Sequence, residues 1–293
     1  MTNRTAIAGI LAMAATAFLW SIAGLFIKII DWNPLIIAGS RSLLASLVIL
    51  LYLRRPRINF SFPQIAAALA NTATMILFVA ANKTTTSANA IILQYIAPVT
   101  TVFIGAVLLK ERARIEHWSA IVLVTAGIIL MFFDKLGAGR MSGNIIALCS
   151  GISFSFYFVF MRMQKYGSPV ESILISHWFT AGIGLLCALF VPFPAVTLGA
   201  LAAVTVLGFI QIGLSAILFA AAIKRVSAIS ANLIAVIEPV FNPIWVFIAL
   251  GEAPGLHALI GGAVILAAVT GASIVSARRL DLGTERGPAS RKI

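Results

Sequence analysis

The chain has 293 residues, of which 61% are hydrophobic and only 10% are charged, and its formal net charge is +12. A water-soluble protein carries roughly 25% charged residues, so this composition excludes a soluble enzyme or binding domain and predicts an integral membrane protein. The basic residues fall in short gaps between apolar runs and carry no aromatic-basic RNA-binding signature. They therefore indicate membrane orientation and not nucleic-acid binding.

Ten apolar runs are each long enough, at roughly twenty residues, to cross the hydrocarbon layer of a membrane as a helix. They cover residues 6–30, 34–53, 62–82, 86–108, 115–133, 142–161, 171–191, 197–221, 228–249 and 256–276. Only helices and closed barrels satisfy their backbone groups in lipid, and runs of this length without two-residue alternation form helices. The sequence therefore predicts an all-α integral membrane protein with ten transmembrane helices.

Lysine and arginine are distributed unequally over the two sides of the predicted membrane. If the N-terminus is cytoplasmic, sixteen of them lie on the cytoplasmic side and five at most on the other side. Cytoplasmic loops are enriched in these residues, so both termini are predicted to be cytoplasmic.

The chain contains an internal repeat, because the segment 83–111 recurs as 224–252 at a constant offset of 141 residues. The matching pairs are Lys83 and Lys224, Ala90 and Ala231, Pro98 and Pro239, and Glu111 and Glu252. Five helices per repeat is an odd number, so the second repeat must enter the membrane from the opposite side. We expect two inverted five-helix repeats, 1–140 and 141–277, and a basic, disordered tail, 278–293. Inverted repeats are typical of secondary transporters, whose substrate site lies near the membrane midplane.

Pro98 and Pro239 lie at matching positions inside the fourth and ninth predicted helices. A proline in a helix interior removes one backbone hydrogen bond, which here frees the carbonyls of Gln94 and Ala235. Paired breaks of this kind indicate a transport site, so we expect both prolines to act as breaks or hinges that border the pathway.

Glu238 lies near the centre of the ninth predicted helix, where an ionised acid costs about 2.5–3.5 kcal/mol on insertion scales. It is therefore expected to face the protein interior or water. Three roles remain open: binding a substrate amine, carrying a coupling proton, or pairing with Arg41 or a backbone group. The equivalent residue of the first repeat is Ala97, so the two repeats differ chemically at this position.

Aromatic rings and polar side chains that share helix faces at three- and four-residue spacing are predicted to line a substrate cavity. The predicted set is Trp20, Asn71, Thr74, Phe78, Gln94, Phe154, Tyr157, Gln211, Ser215, Phe219, Glu238 and Asn242. Sites for small solutes combine apolar walls with a few polar anchors. Interhelical hydrogen bonding alone would use the same polar residues, so either role is open for each of them.

Arg41, about two turns into the second helix, is expected to snorkel or to pair with Asp31, with a substrate carboxylate as the alternative. His177 is expected to make a satisfied polar contact. Glu111 and Glu252 are expected to cap helix ends or to fix loops, and not to bind substrate. The sequence contains no metal-ligand spacing and no motif of a soluble enzyme. We therefore expect no cofactor, no metal and no enzymatic activity.

The paired segments Pro98–Glu111 and Pro239–Glu252, the Trp20-Ser21 dipeptide and Arg41 give the sequence a family likeness. It resembles the EamA type of the drug/metabolite transporter superfamily over residues 6–276 or so. The resemblance implies a central cavity lined by helices 1, 3, 4, 6, 8 and 9. It also implies alternating access, driven by proton exchange or by the substrate's own gradient.

The expected function is export of small amphipathic metabolites across a bacterial inner membrane. Amino acids come first, and the aromatic rings in the predicted lining favour aromatic or apolar ones. The alternative is efflux of lipophilic cations, with Glu238 as the counter-charge. Expected partners are the small-molecule substrate, the lipid bilayer and protons, and the chain is expected to be a monomer or a homodimer.

Overall fold

The structure is a computed structural model that describes residues 3–85, 87–131, 133, 140–192, 195–250 and 256–285. These residues form helices and no strands. Seven helical stretches are long and apolar enough to cross a membrane, and three shorter apolar helices bring the described total to ten. The prediction of an all-α membrane protein with ten transmembrane helices is confirmed.

The ten spans are here named TM1 to TM10. In the first repeat, TM1 comprises Asn3–Trp20 and Ala23–Ile29, TM2 Pro34–Leu53, TM3 Phe62–Thr84, TM4 Ser87–Gln94 and Ala97–Leu108, and TM5 Ile115–Met131. In the second repeat, TM6 comprises Met141–Met163, TM7 Pro169–Ala188, TM8 Leu198–Val206, Leu207–Leu214 and Ser215–Ile223, TM9 Ala228–Ala235 and Ile237–Leu250, and TM10 Leu256–Glu285. TM10 extends into the segment 278–293, which was expected to be disordered, and residues 286–293 lie outside the described part.

Several spans begin where a side chain replaces a missing backbone partner. Asn33 accepts a hydrogen bond from the Leu35 amide at 2.9 Å, and Pro34 occupies the first turn of TM2. Thr197 and Ser227 accept in the same way at the starts of TM8 and TM9. The first amides of a helix have no intrahelical acceptor, so these caps determine where the spans begin.

Four spans are irregular in their interiors. TM4 is interrupted at Tyr95 and Ile96, just before Pro98, and TM9 at Val236, just before Pro239. TM1 is interrupted after Trp20, where the sequence has no proline, and Leu207–Leu214 of TM8 forms a π-helix. Pro98 and Pro239 predicted the first two irregularities, whereas the last two were not predicted from the sequence.

The largest helix contacts join one repeat to the other. They pair TM3 with TM6, TM2 with TM7, TM5 with TM10 and TM1 with TM8, whereas neighbouring helices of one repeat contact each other less. TM3–TM6 and TM8–TM1 are equivalent pairs under the exchange of the two repeats. The buried core therefore lies between the repeats and not inside either one.

Glycines allow the closest approaches between the repeats. A Cβ built on Gly39 of TM2 would lie 2.7 Å from the Cα of Gly184 in TM7. A Cβ built on Gly151 of TM6 would lie 2.5 Å from the carbonyl oxygen of Gln94, which Pro98 leaves without its helical donor. Small residues let transmembrane helices pack backbone to backbone, and any side chain at these positions would push the repeats apart.

Candidate functional site

A central cavity with a volume of about 50 Å³ lies between the repeats. It is lined by Trp20, Ala23, Arg41, Asn71, Thr74, Met75, Phe78, Gln94, Phe154, Tyr157, Gln211 and Glu238. These residues come from TM1, TM2, TM3, TM4, TM6, TM8 and TM9. The volume has room for a few water molecules, so a metabolite can enter only after side chains or helices move apart.

Most of the predicted lining residues border this cavity. Those that do are Trp20, Asn71, Thr74, Phe78, Gln94, Phe154, Tyr157, Gln211 and Glu238. Ser215 and Phe219 do not, and the side chain of Asn242 lies outside the described part of the chain. Nine of the twelve predicted residues therefore border one cavity, and their part in substrate binding stays a prediction.

Ser215 and Phe219 lie behind the cavity wall, so the expectation that they line it is wrong in this conformation. Ser215 Oγ accepts a hydrogen bond from Trp20 Nε1 at 2.9 Å and donates to the carbonyl of Gln211 at 2.6 Å. Ser215 is occupied by its hydrogen bonds to Trp20 and Gln211, and Phe219 packs against the rings of Trp20 and Tyr157.

A cluster of aromatic rings forms one wall of the cavity. Trp20 of TM1 lies 5.6 Å from both Phe154 and Phe219, measured between ring centroids, and Tyr157 stacks on Phe219 at 5.1 Å. Tilted and offset ring pairs at these distances attract each other by about 0.5–1.5 kcal/mol beyond their buried area. This wall is apolar and joins TM1, TM6 and TM8, with the Trp20 ring fixed further by its bond to Ser215.

Amide side chains supply hydrogen-bonding groups on the other walls. Gln94 Nε2 donates to Ser150 Oγ at 2.8 Å, and Asn71 Nδ2 donates to Ser176 Oγ at 2.7 Å. Asn71 Oδ1 and Gln211 Oε1 have no hydrogen-bond partner among the described residues. An unpaired buried acceptor costs about 1–3 kcal/mol, so both oxygens are available to a ligand or a water that donates.

Arg41 borders the cavity, which corrects its expected snorkelling or pairing with Asp31. The side chain is 1% exposed, and its Nη2 contacts Met75 Sδ at 3.5 Å. Its Nε has no hydrogen-bond partner, and no ion pair of Arg41 occurs among the described residues. The long apolar run around Arg41 made lipid-side snorkelling the simpler expectation, and nothing in the sequence showed that the residue turns inwards.

Glu238 faces the cavity from TM9, next to the break at Val236. Tyr95 of TM4 bridges it to the freed backbone, because Tyr95 Oη lies 3.0 Å from Glu238 Oε2 and 3.0 Å from the carbonyl oxygen of Ala235. Glu238 makes no ion pair with Arg41 within the described residues. Tyr95 was not predicted from the sequence, because its role depends on how the breaks of TM4 and TM9 meet.

His177 lies apart from the central cavity. It is fully buried, and its Nδ1 lies 3.3 Å from Ser42 Oγ of TM2, while its Nε2 has no partner in the described part. It is a contact between TM2 and TM7 and not a lining residue. Among the described residues, no three His, Cys, Asp or Glu side chains are grouped as a metal site would require.

Glu111 connects three elements at the basic end of the bundle. Its carboxylate accepts a hydrogen bond from the Ala228 amide at 3.1 Å, at the start of TM9, and lies 3.5 Å from Arg162 Nε of TM6. Burial raises the pKa of Glu111, an effect that Arg162 and the amides of Ala228 and Ile229 oppose. Its repeat equivalent, Glu252, lies outside the described residues.

A second cavity, here the basic mouth, has a volume of about 320 Å³ and opens at the same end of the bundle. It lies between TM1 and TM9, which also border the central cavity. Its charged lining consists of Glu111, Arg112, Arg114, Arg162 and Arg225. Four arginines against one glutamate make this end of the bundle positive.

Comparison with known proteins agrees with the two-repeat organisation. The sequence model of the EamA-like transporter family matches residues 7–133 and again residues 141–274. An "uncharacterized transporter" of Archaeoglobus fulgidus is 28% identical over 261 residues, which is 88% of this chain and 93% of that protein. A crystal structure aligns with a TM-score of 0.79 at 21% identity, over 96% of this chain and 99% of the other. The last likeness supports the fold alone.

Proposed function

Since the chain belongs to the EamA-like transporter family, and is a multi-pass membrane protein, we propose that it exports small amphipathic metabolites by alternating access. Amino acids are the first candidates, and aromatic or apolar ones in particular. The membrane we propose is the bacterial inner membrane. The substrate site is the central cavity.

The observation that carries this proposal is that one basic side chain, one acidic side chain and several aromatic rings line the same cavity. Arg41 presents a guanidinium from TM2, and Glu238 presents a carboxyl group from TM9. A free amino acid carries a carboxylate and an ammonium group, so it could use both. Arginine binds carboxylates through two parallel hydrogen bonds, and the ring cluster around Trp20 and Phe154 suits an apolar or aromatic side chain.

The same charges weigh against the alternative, efflux of lipophilic cations. Glu238 could serve as the counter-charge of a cation, but Arg41 lines the same cavity and would repel it. A zwitterion has use for both groups.

The orientation belongs to the proposal as well. The basic mouth and the loops around Arg54 and Arg112 lie at the end that the excess of lysine and arginine assigns to the cytoplasm. Labelling of single cysteines in intact cells tests this orientation. A membrane-impermeant maleimide should react with Asp31→Cys and not with Arg55→Cys, in a chain whose Cys149 and Cys187 are replaced by alanine.

The substrate proposal is tested by calorimetry on the purified chain with three related ligands: L-phenylalanine, phenethylamine and 3-phenylpropionate. Loss of a charge-assisted pair of hydrogen bonds, worth about 1.5–3 kcal/mol, should weaken L-phenylalanine binding by about 10–100-fold in Arg41→Met. Phenethylamine lacks the carboxylate, so its binding should be unchanged or tighter in the same variant. Glu238→Gln should show the converse, with 3-phenylpropionate retained and phenethylamine weakened.

One outcome would contradict the amino-acid proposal. If the wild-type chain ignores L-phenylalanine and all other amino acids but binds tetraphenylphosphonium in a Glu238-dependent manner, the amino-acid proposal fails and the cation alternative replaces it. Met75→Leu is the matched control, because it changes a lining residue beside Arg41 without changing charge.

A further inference from the structure

The contacts at the breaks of TM4 and TM9 deepen the proposed function by giving the cavity a coupling site. We infer that Tyr95, Glu238 and the carbonyl of Ala235 form a proton-binding site that links the two repeats. The proton on Glu238 determines whether the Ala235 carbonyl has a donor. This inference rests on the proposed function for its role in transport, but the site itself can be tested without any substrate.

The number of hydrogens at Tyr95 limits which of its two neighbours it can serve. Tyr95 Oη lies 3.0 Å from Ala235 O and 3.0 Å from Glu238 Oε2, and both of these neighbours are oxygens that accept. A tyrosine hydroxyl has a single hydrogen to donate. It therefore cannot serve the carbonyl and an ionised carboxylate at the same time.

Protonation of Glu238 resolves the conflict. A protonated carboxyl group donates from Oε2 to Tyr95 Oη, and Tyr95 donates its own hydrogen to Ala235 O. Glu238 Oε2, Tyr95 Oη and Ala235 O then all have a hydrogen-bond partner. When Glu238 loses its proton to water in the cavity, the carboxylate takes the Tyr95 hydrogen. Ala235 O then has no donor, because Pro239 lacks the N–H that would normally serve it.

No other ionisable group duplicates this role on the helices around Glu238. TM1 between residues 6 and 27, TM8 between 198 and 223, and TM10 between 258 and 276 contain no ionisable side chain. Of the ionisable groups that line the cavity, Arg41 comes from TM2 and Tyr157 from TM6. Arg41 favours the ionised carboxylate, and Tyr157 stacks on Phe219. Glu116 and His117, at the start of TM5, belong to the basic end.

The consequence for transport is competition at one carboxylate. A substrate ammonium group requires ionised Glu238, whereas the Tyr95 bridge between TM4 and TM9 is complete only with protonated Glu238. Substrate binding therefore releases a proton and frees the Ala235 carbonyl at the break of TM9. One site in this way joins proton release to loosening of the contact between the repeats.

The test is hydrogen–deuterium exchange of the full, substrate-free chain in lipid nanodiscs, followed by mass spectrometry between acid and alkaline pH. Peptides of TM6, 141–163, supply the reference for the general effect of base on exchange. In the wild type, exchange over 228–250 should rise with pH about tenfold more than in TM6, the factor that corresponds to one lost buried hydrogen bond.

Variants distinguish the effect of Glu238 protonation on exchange from the effect of the helix break itself. Glu238→Gln keeps a donor to Tyr95 at every pH, so its exchange over 228–250 should be slow and should follow the TM6 reference. Tyr95→Phe removes the donor to Ala235, so exchange should be fast at every pH. Tyr157→Phe makes the same change elsewhere in the cavity and should behave as the wild type does.

The inference is overturned if Glu238→Gln retains the additional pH dependence, or if the wild type follows the TM6 reference. A second measurement concerns coupling: in proteoliposomes, a pH gradient should accelerate L-phenylalanine uptake by the wild type and have no effect in Glu238→Gln. If the wild type transports no amino acid but the exchange results hold, the proposed substrate is wrong and the proton site stands.

Discussion

Gly151 shows how one residue sets the distance between the repeats. Its missing side chain lets TM6 lie against the Gln94 carbonyl of TM4, which is the carbonyl freed by Pro98. The sequence revealed the proline but not the glycine, because a helical glycine alone does not show what it approaches. Gln94 and Asn71 were found because polar groups are costly in lipid, whereas Arg41 and Tyr95 required the three-dimensional contacts.

Gly151→Ala should destabilise the protein, because the new Cβ would lie 2.5 Å from the oxygen of Gln94. Overpacking of this kind costs about 1–3 kcal/mol and should lower the midpoint of thermal unfolding. Gly105→Ala on TM4 is the control, since a Cβ there meets nothing within 4 Å, and it should be neutral or slightly stabilising. Equal midpoints for the two variants would show that the close approach is not required.

At the scale of the element, TM9 is held at its start by Glu111 and divided before Pro239. Glu111 belongs to the loop after TM4, yet its carboxylate accepts a hydrogen bond from the Ala228 amide of TM9. The matching Pro–Glu segments of the two repeats made a cap at this position a reasonable expectation. The π-helix of TM8 and the break in TM1 had no such signal, because neither span contains a proline.

Glu111→Gln should flatten the pH dependence of stability. Burial raises the pKa of Glu111 in the folded protein above its ordinary value of 4.5, so the folded state favours the protonated acid. That contribution to stability is present below the unfolded pKa and is lost as the pH rises through the folded pKa. The neutral amide carries no charge to desolvate and can still accept from Ala228.

Thermal unfolding measured from about pH 4 to pH 8 tests this. The wild type should lose stability relative to Glu111→Gln as the pH rises, and Asp31→Asn, which changes an exposed acid, should run parallel to the wild type. A wild-type curve that gains stability over Glu111→Gln on raising the pH would mean that Arg162 and the TM9 amides outweigh burial.

For the whole molecule, the arrangement of helices followed from composition and repetition. The lengths of the apolar runs predicted ten spans, and the recurrence of segment 83–111 as 224–252 predicted two repeats. What could not be foreseen is how completely the repeats share one core. TM1, TM2, TM3 and TM5 all make their main contacts with the second repeat, and sequence periodicity indicates which helix face is polar without naming the helix that it meets.

The two halves should therefore be inactive and unstable when made separately and functional when made together. We expect segments 1–140 and 141–293, each with an affinity tag, to co-purify when expressed in the same cell. Mixed after separate purification, they should not assemble, because each would have exposed its core to detergent. A stable first half on its own, with cooperative unfolding, would contradict this picture.

The same shared core constrains how the protein is made. While the ribosome is still producing the second half, TM2 and TM3 are already in the membrane, and the TM7 helix that both of them contact has not been synthesised. Asn71 of TM3 then lacks its partner, Ser176. Insertion of these helices must therefore precede assembly by the time needed to translate the rest of the chain. During that interval the nascent half depends on the insertion machinery to shield its polar groups from lipid, which makes synthesis, and not the finished fold, its most vulnerable stage.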